Sequence, residues 1–333
     1  MSRHRFAAVL STVLTMCFAQ AALADSDACD WFPDLSRGCE RAPRFEGFVP
    51  PTSMPYLFED PFITTEISAH GLWHDFPTDS VFEGGEIWVA AVQARIAITD
   101  RLAFIATKDG YSWLRPDGDS QISSDQGFFD ITAGFKYAAI VRPEDRFIVT
   151  PALRIDIPVG NDDVFSGNGD GVIIPSVSSG LGVGPVNFIA SVGLRQPLDT
   201  NDESTSIFYN LHADVGELFG PLVPFIEVNA TTWTRSGDGS NKVKTKDFGN
   251  VELKTAQDVL FGAGITDSRR WEGADVVNLG SSGVSGQSVA TLAVGSRASI
   301  TKNVSVGAYY EFPITDRKDI FEQRVAINAI YEF

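Results

Sequence analysis

From Pro61 onward apolar and polar side chains alternate with a period of two, stop at a turn and begin again, twelve times in all. That period puts successive side chains on opposite faces of an extended strand, which excludes helix for most of the chain. The last stretch, Phe321 to Phe333, is the clearest. Phe321, Val325, Ile327, Ala329, Tyr331 and Phe333 share one face, interrupted by Gln323, while Glu322, Arg324, Ala326, Asn328, Ile330 and Glu332 share the other. A strand of this length, tilted, crosses a bilayer. Taken alone it does not exclude the edge strand of a soluble β-sandwich.

The expected strands are Phe62 to His74, Gly85 to Ile98, Leu102 to Trp113, Phe128 to Ile140, Arg146 to Ile157, Val172 to Val183, Val186 to Gln196, Ser206 to Gly216, Leu222 to Trp233, Ser288 to Ile300, Val304 to Ile314 and Ile320 to Phe333. Short turns, such as Thr99-Asp100-Arg101, Gly184-Pro185 and Thr301-Lys302-Asn303, alternate with longer polar connections such as Leu114 to Gly127, Pro158 to Gly171 and Thr234 to Gln287. A transmembrane barrel has short turns at its periplasmic end and longer loops outside, and an even strand number is the rule for bacterial single-chain barrels. A sandwich has no reason to sort its connections by end. The expected fold is therefore all-β: a transmembrane antiparallel up-and-down β-barrel of about twelve strands over residues 61–333. The segments Ile98-Thr99-Asp100-Arg101-Leu102 and Ile300-Thr301-Lys302-Asn303-Val304 rhyme, which we read as shared turn chemistry.

The first residues agree with that destination. Arg3 and Arg5 precede an apolar run from Phe6 to Ala19, and Ala22-Leu23-Ala24 is a small-residue cleavage site, so residues 1–24 read as a secretory signal peptide. No later run is long and apolar enough for a spanning helix, which leaves the closed barrel as the way to satisfy the backbone in a membrane. A net charge of −17 with no basic stripe argues against nucleic acid as a partner. The partners expected are outer-membrane lipid and lipopolysaccharide; Lys242, Lys244, Lys246 and Lys254 of the longest loop read first as part of a solvated, flexible loop, with contact to lipopolysaccharide as the alternative. The aromatic ending, Tyr331 and Phe333, resembles the signal read by the barrel-assembly machinery.

Residues 25–60 read as an irregular arm. Pro33, Pro43, Pro50, Pro51 and Pro55 break regular structure, and Trp31, Phe32, Phe45, Phe48, Tyr56 and Phe58 give it something to bury. Cys29 and Cys39, with nine residues between them, are expected to form a disulfide in an oxidising compartment. The arm is either an extension against the periplasmic rim or a small plug inside the barrel.

Alternation also nominates the residues that face the lumen. On the polar faces of the early strands lie Glu66, His70, Glu86, Arg95, Asp130 and Lys136. Arg154, Asp156, Arg195, His212, Asp214 and Glu227 follow, then Arg297, Glu311 and Arg324. Both signs are present, so these side chains line a narrow passage, pair across the wall, Arg154 with Asp130 for example, or do both, the two readings being compatible. In the strand from Leu102, Lys108 and Asp109 point opposite ways, and one must leave the lumen. His70 and His74 share a face with Glu66 but stand too far apart along a strand to chelate as a pair, so a lumenal polar patch is expected rather than a metal site. Gly160 to Gly171 is rich in Asp, Asn and Gly but lacks calcium-loop spacing and reads as a solvated loop. Ser68 with His70 is the nearest approach to the His-Ser pair of outer-membrane phospholipases.

Glu59 to Pro77, Ala97 to Tyr111 and Ala308 to Val325 resemble outer-membrane proteins grouped under the name of the meta-pathway of phenol degradation, described as transporters. The resemblance implies a barrel and uptake of small or hydrophobic compounds, and supplies no functional residues. The expected function is a channel or transporter for passive uptake of a small solute, with no cofactor. The alternatives are a structural or adhesive barrel with a packed lumen and working external loops, or a lipid-modifying enzyme.

Overall fold

In the computed structural model, residues 44–118, 120–216, 220–261 and 270–333 are described. The signal-peptide reading (1–24) and the Cys29/Cys39 disulfide lie outside them. Sixteen strands are present: β1 Glu66–Asp75, β2 Gly85–Ala97, β3 Leu102–Pro116, β4 Asp125–Phe128, β5 Ile131–Tyr137, β6 Ile140–Arg142, β7 Phe147–Ile157, β8 Val172–Val183, β9 Val186–Pro197, β10 Thr205–Asp214, β11 Leu222–Arg235, β12 Lys242–Thr245, β13 Gly249–Glu252, β14 Ser288–Ser299, β15 Val304–Pro313 and β16 Gln323–Glu332. β4, β5 and β6 make one broken stave, and β12 with β13 forms a hairpin apart from the wall. The remaining strands each pair antiparallel with their neighbours, and β1 pairs with β16, which closes a twelve-stave barrel.

Each of the twelve expected strands is found, with shifted ends. The first begins at Glu66, because residues 62–65 belong to the segment inside the barrel. The last begins at Gln323, and Phe321 packs on the His74 ring at 4.6 Å instead of facing outward. The expected strand from Phe128 to Ile140 breaks at Phe129 and Asp130. There the Asp130 carboxylate accepts the Gly160 and Gly167 N–H groups and its own N–H donates to Ser166, so tertiary bonds replace the ladder. The Lys108 and Asp109 conflict is resolved by a bulge: the β2–β3 register shifts between Val92 and Ala94, and Thr107 and Lys108 are both buried.

The wall has a lipid face and an interior face. Ile67, Val92, Leu153, Ile155, Val192, Leu211, Ile226, Val325 and Ile327 are exposed, while inward neighbours such as Arg154, Glu227, Arg297 and Arg324 are almost fully covered. An exposed apolar belt with charge inside is what a bilayer solvent demands. Trp113, Trp88 and Trp73 lie in register on three adjacent strands near the loop end, and Tyr331 packs edge-on to Phe333 at 4.8 Å near the turn end, as aromatic girdles do. In the rhyming turns, the Thr99 hydroxyl accepts the Arg101 and Leu102 N–H groups, and the Thr301 hydroxyl accepts those of Asn303 and Val304. The shared chemistry is that of a threonine-closed turn.

The long connection after β11 is folded, against the expectation of a flexible loop. It carries the β12–β13 hairpin and helix α1 (Leu253–Phe261). Val243, Leu253, Trp271, Val277 and Leu279 form one apolar cluster with Phe76, Phe82, Leu114 and Ile320 at the loop end. The face of the hairpin and helix turned to the barrel is thus apolar, and the connection is a cap on the mouth. Of its lysines, Lys244 pairs with Asp125 at 2.6 Å and Lys246 donates to the Asp117 and Gly118 carbonyls.

Candidate functional site

Residues 44–65 run through the interior from the turn end, reach Asp156 near the loop end of β7 through Tyr56, and bond to side chains from strands around the wall. Val49 and Asn187 reach between segment and wall through Asp214 and Gly47, the Thr52 and Ser53 N–H groups donate to Glu227 at 2.8 and 2.7 Å, and Gln93 donates to the Pro55 carbonyl. Phe45, Phe48 and Phe62 pack edge to face at 5.3 to 5.8 Å. The segment has no helix or strand of its own; four prolines deny it one, and wall side chains satisfy its backbone instead.

Charge concentrates in four clusters. In the first, Arg95 grips Glu59 through a two-pronged bond, 2.8 Å on each arm, and also meets Glu66 at 3.3 Å. Lys136 reaches Glu59 at 2.7 Å and Asp60 at 3.1 Å, and Arg44 ties Asp60, Glu66 and Glu332 together. In the second, Lys108 lies 3.0 Å from Asp156 and 3.4 Å from Asp130, and the Tyr56 hydroxyl donates to Asp156. Arg195 pairs with Glu203.

The third cluster is His212, held between Glu227 at 2.7 Å and Asp214 at 3.1 Å, all three fully covered. In the fourth, Arg324 forks onto Asp275 of the cap at 2.8 and 2.9 Å, approaches Glu311 at 3.4 Å and donates to His74 Nδ1. His74 Nε2 then carries the proton that goes to the Ile320 carbonyl. Buried charges persist because each is paired and hydrogen-bonded, and loss of one partner strands the other.

Of the fifteen lumenal candidates named from the sequence, Glu66, His70, Arg95, Lys136, Arg154, Asp156, Arg195, His212, Asp214, Glu227, Arg297, Glu311 and Arg324 point inward, and Asp130 is buried at the strand break. Glu86 is the correction. It shares the outer face with Trp88, and its carboxylate accepts the indole N–H groups of Trp73 at 2.6 Å and Trp88 at 2.8 Å. At the rim an indole girdle gives a carboxylate donors, so it need not enter the lumen. The Arg154 to Asp130 pair does not form. Arg154 donates to the Tyr56 and Leu57 carbonyls and the Thr107 hydroxyl, while Asp130 holds Lys108 and the loop.

The anions that meet the wall from inside, Glu59, Asp60, Glu203 and Asp275, were not nominated. Alternation marks a polar face without saying what fills the space before it. The signal available was Glu59-Asp60 in an aromatic arm immediately before the first strand.

The Ser68 hydroxyl and His70 Nε2 are 2.9 Å apart, yet inside the barrel, beside a void of about 10 Å3. A cavity of about 30 Å3 lies between segment and cap, lined by Met54, Asn229, Asp275, Glu311 and Arg324 among others. It has room for roughly one or two waters. Organic ligands need clefts on the order of 300 Å3. Within the cap, burial pushes Glu272 up to about 8, against the Ser281 and Gly280 N–H groups that favour its charged form, and burial also raises the neighbouring Asp319. Among the described residues no group of three or more His, Cys, Asp or Glu side chains converges as a metal site.

Twelve staves, a lipid-facing apolar belt and a charged interior define a β-barrel of the bacterial outer-membrane class. An outer membrane channel from Pseudomonas putida F1 superposes with a TM-score of 0.54 at 10% identity, over 86% of this chain and 100% of that one. The NanC porin gives 0.46 at 6% identity over 80% and 99%, and LpxR from Salmonella typhimurium gives 0.46 at 8% identity over 80% and 100%. No protein-family profile and no curated protein sequence matches the chain. At such identities the likeness to the channel concerns the fold.

Proposed function

We propose that this barrel is an outer-membrane channel or transporter for passive passage of a small solute, held closed by residues 44–65 from one end and by the cap from the other. The observation that carries the reading is where the interior charges find partners. Arg95, Lys136, Arg154, Glu227 and Arg324 bind the inner segment or the cap, neither of which belongs to the ladder of the wall. Residues 44–64 and the cap can withdraw without breaking a backbone bond between strands, and what they leave is a polar passage lined by both signs. The resemblance to the meta-pathway transporters fits uptake of small or hydrophobic compounds. The small cavities favour a second reading, a structural barrel whose packed interior is permanent and whose external loops do the work.

Planar-bilayer conductance separates the two. The complete protein should give rare, brief openings. Deleting residues 44–60 and replacing 238–283 by a short turn should give steady single-channel current, provided heat-modifiable migration on a detergent gel shows the variant folded. A folded double variant without current would refute the channel reading.

A further inference from the structure

We propose that Arg95 and Lys136 form a solute-binding site for a small carboxylate carrying an apolar body, and that Glu59 occupies it in the closed state as an internal stand-in. The inference rests on the channel reading above. The Glu59 carboxylate is bound as a ligand would be: two parallel bonds from the Arg95 guanidinium at 2.8 Å each, and a third from Lys136 at 2.7 Å. A planar fork is the arrangement that recognises carboxylate by shape as well as charge. Both cations belong to the wall and are covered, Lys136 completely, whereas the carboxylate belongs to a segment outside the ladder.

The surroundings set the rest of the solute. Phe58 and Phe62, on either side of Glu59 in sequence, pack in one apolar cluster with Ala103, Ile148 and Ile174 of the wall, and Ala103 is the cross-strand neighbour of Lys136. The segment therefore presents an anionic head flanked by aromatic rings to a cation pair flanked by aliphatic wall. When it withdraws, Glu66 remains as the one carboxylate bonded to Arg95, and Lys136 loses both of its anions. An incoming carboxylate restores what the wall has lost, and its apolar body replaces the rings. Such a solute competes with the segment and so opens the passage that carries it.

The test uses the full chain folded in detergent micelles, with Ser53→Cys as a reporter. Ser53 is buried beneath the segment's bonds to Glu227 and Asn229, so a thiol there reacts only when the segment leaves. The native cysteines of the unsubstituted chain set the background. Benzoate should raise the labelling rate several-fold and saturably, acetate much less, and benzyl alcohol and benzylamine not at all. Glu59→Gln should raise the basal rate at least about tenfold, the worth of one charge-assisted hydrogen bond. Lys136→Met should raise the basal rate yet abolish the response to benzoate, with Arg95→Gln serving if that variant does not fold. An equal response to benzylamine or benzyl alcohol, or a benzoate response intact in Lys136→Met, would overturn the site. A rise in Glu59→Gln with no benzoate response anywhere would overturn the site alone. No labelling above background in any variant would overturn the movement of the segment, and the channel reading with it.

Discussion

Arg324 joins the wall to the cap, and its removal has a calculable cost. The residue is 1% exposed, and its side chain forks onto Asp275, with Glu311 and His74 Nδ1 as further partners and the Phe321 ring 4.7 Å below its guanidinium. Arg324→Met leaves Asp275 buried without its cation, a change that typically costs about 3–5 kcal/mol. Glu311 suffers less, because Thr291 and Asn229 still donate to it. Asp275→Leu alone leaves Arg324 with one distant carboxylate and should cost about 2–4 kcal/mol. The double variant removes both charges together, so its loss should fall short of the sum by about 1.5 kcal/mol or more, the coupling of residues in direct contact. What it does not recover is the cation–π contact, worth about 0.5–2 kcal/mol. Urea titration of folding into micelles, followed by tryptophan fluorescence, gives all four corners of the cycle. Additivity within about 0.5 kcal/mol would refute the claim that this pair fastens cap to wall.

Glu272 makes the cap sensitive to alkali. Its carboxyl rises in the folded state from the usual 4.5 to about 8, so its contribution is complete below about 4.5 and is lost as pH climbs through 8. Tryptic cleavage after Arg270 should accelerate between pH 6.5 and 9 relative to the Glu272→Gln variant, and parallel curves for the two proteins would contradict this. Deleting Phe333 removes its N–H bond to Thr65 and its ring contact with Tyr331. Since the ring is largely exposed, folded-state stability should fall by only about 1 kcal/mol, while assembly into membranes in cells falls several-fold. Undiminished assembly of that deletion would count against a role for the aromatic end as a signal.

The wall was legible because a bilayer imposes a local rule: each strand must show apolar side chains on alternate positions, whatever its neighbours do. Val325 and Ile327 against Arg324 and Asn328 obey it without reference to the rest of the chain. The Thr99 and Thr301 turns were legible for a similar reason, since their hydrogen bonds close within four residues. Asp130 was not, because its partners Gly160, Ser166 and Gly167 lie a whole strand away and outcompete the ladder. Glu86 misled because a charge near the rim obeys indole N–H donors instead of the oil-and-water rule. The contents of the lumen were legible only as one of two options for residues 25–60, and which wall charges they meet was not legible at all. A wall cation such as Arg95 or Lys136 has the same alternation pattern whether water, a neighbouring carboxylate or Glu59 stands before it.

The closing seam joins β1 to β16, the first and last strands, and the inner segment leads directly into β1. Arg44 of that segment bonds Glu332 of β16 as well as Glu66 of β1, and Thr65 accepts the Phe333 N–H. The two edges of the sheet are therefore laced together by the same residues that lead into the interior. Sealing the cylinder and seating its contents become a single step, placed at the end of folding because the pairing of greatest sequence separation is the slowest to find. A half-built sheet has an open side through which the segment enters sideways. In the finished barrel the segment has only the narrow turn end as its route, so a plug once expelled should reseat more slowly than it first arrived.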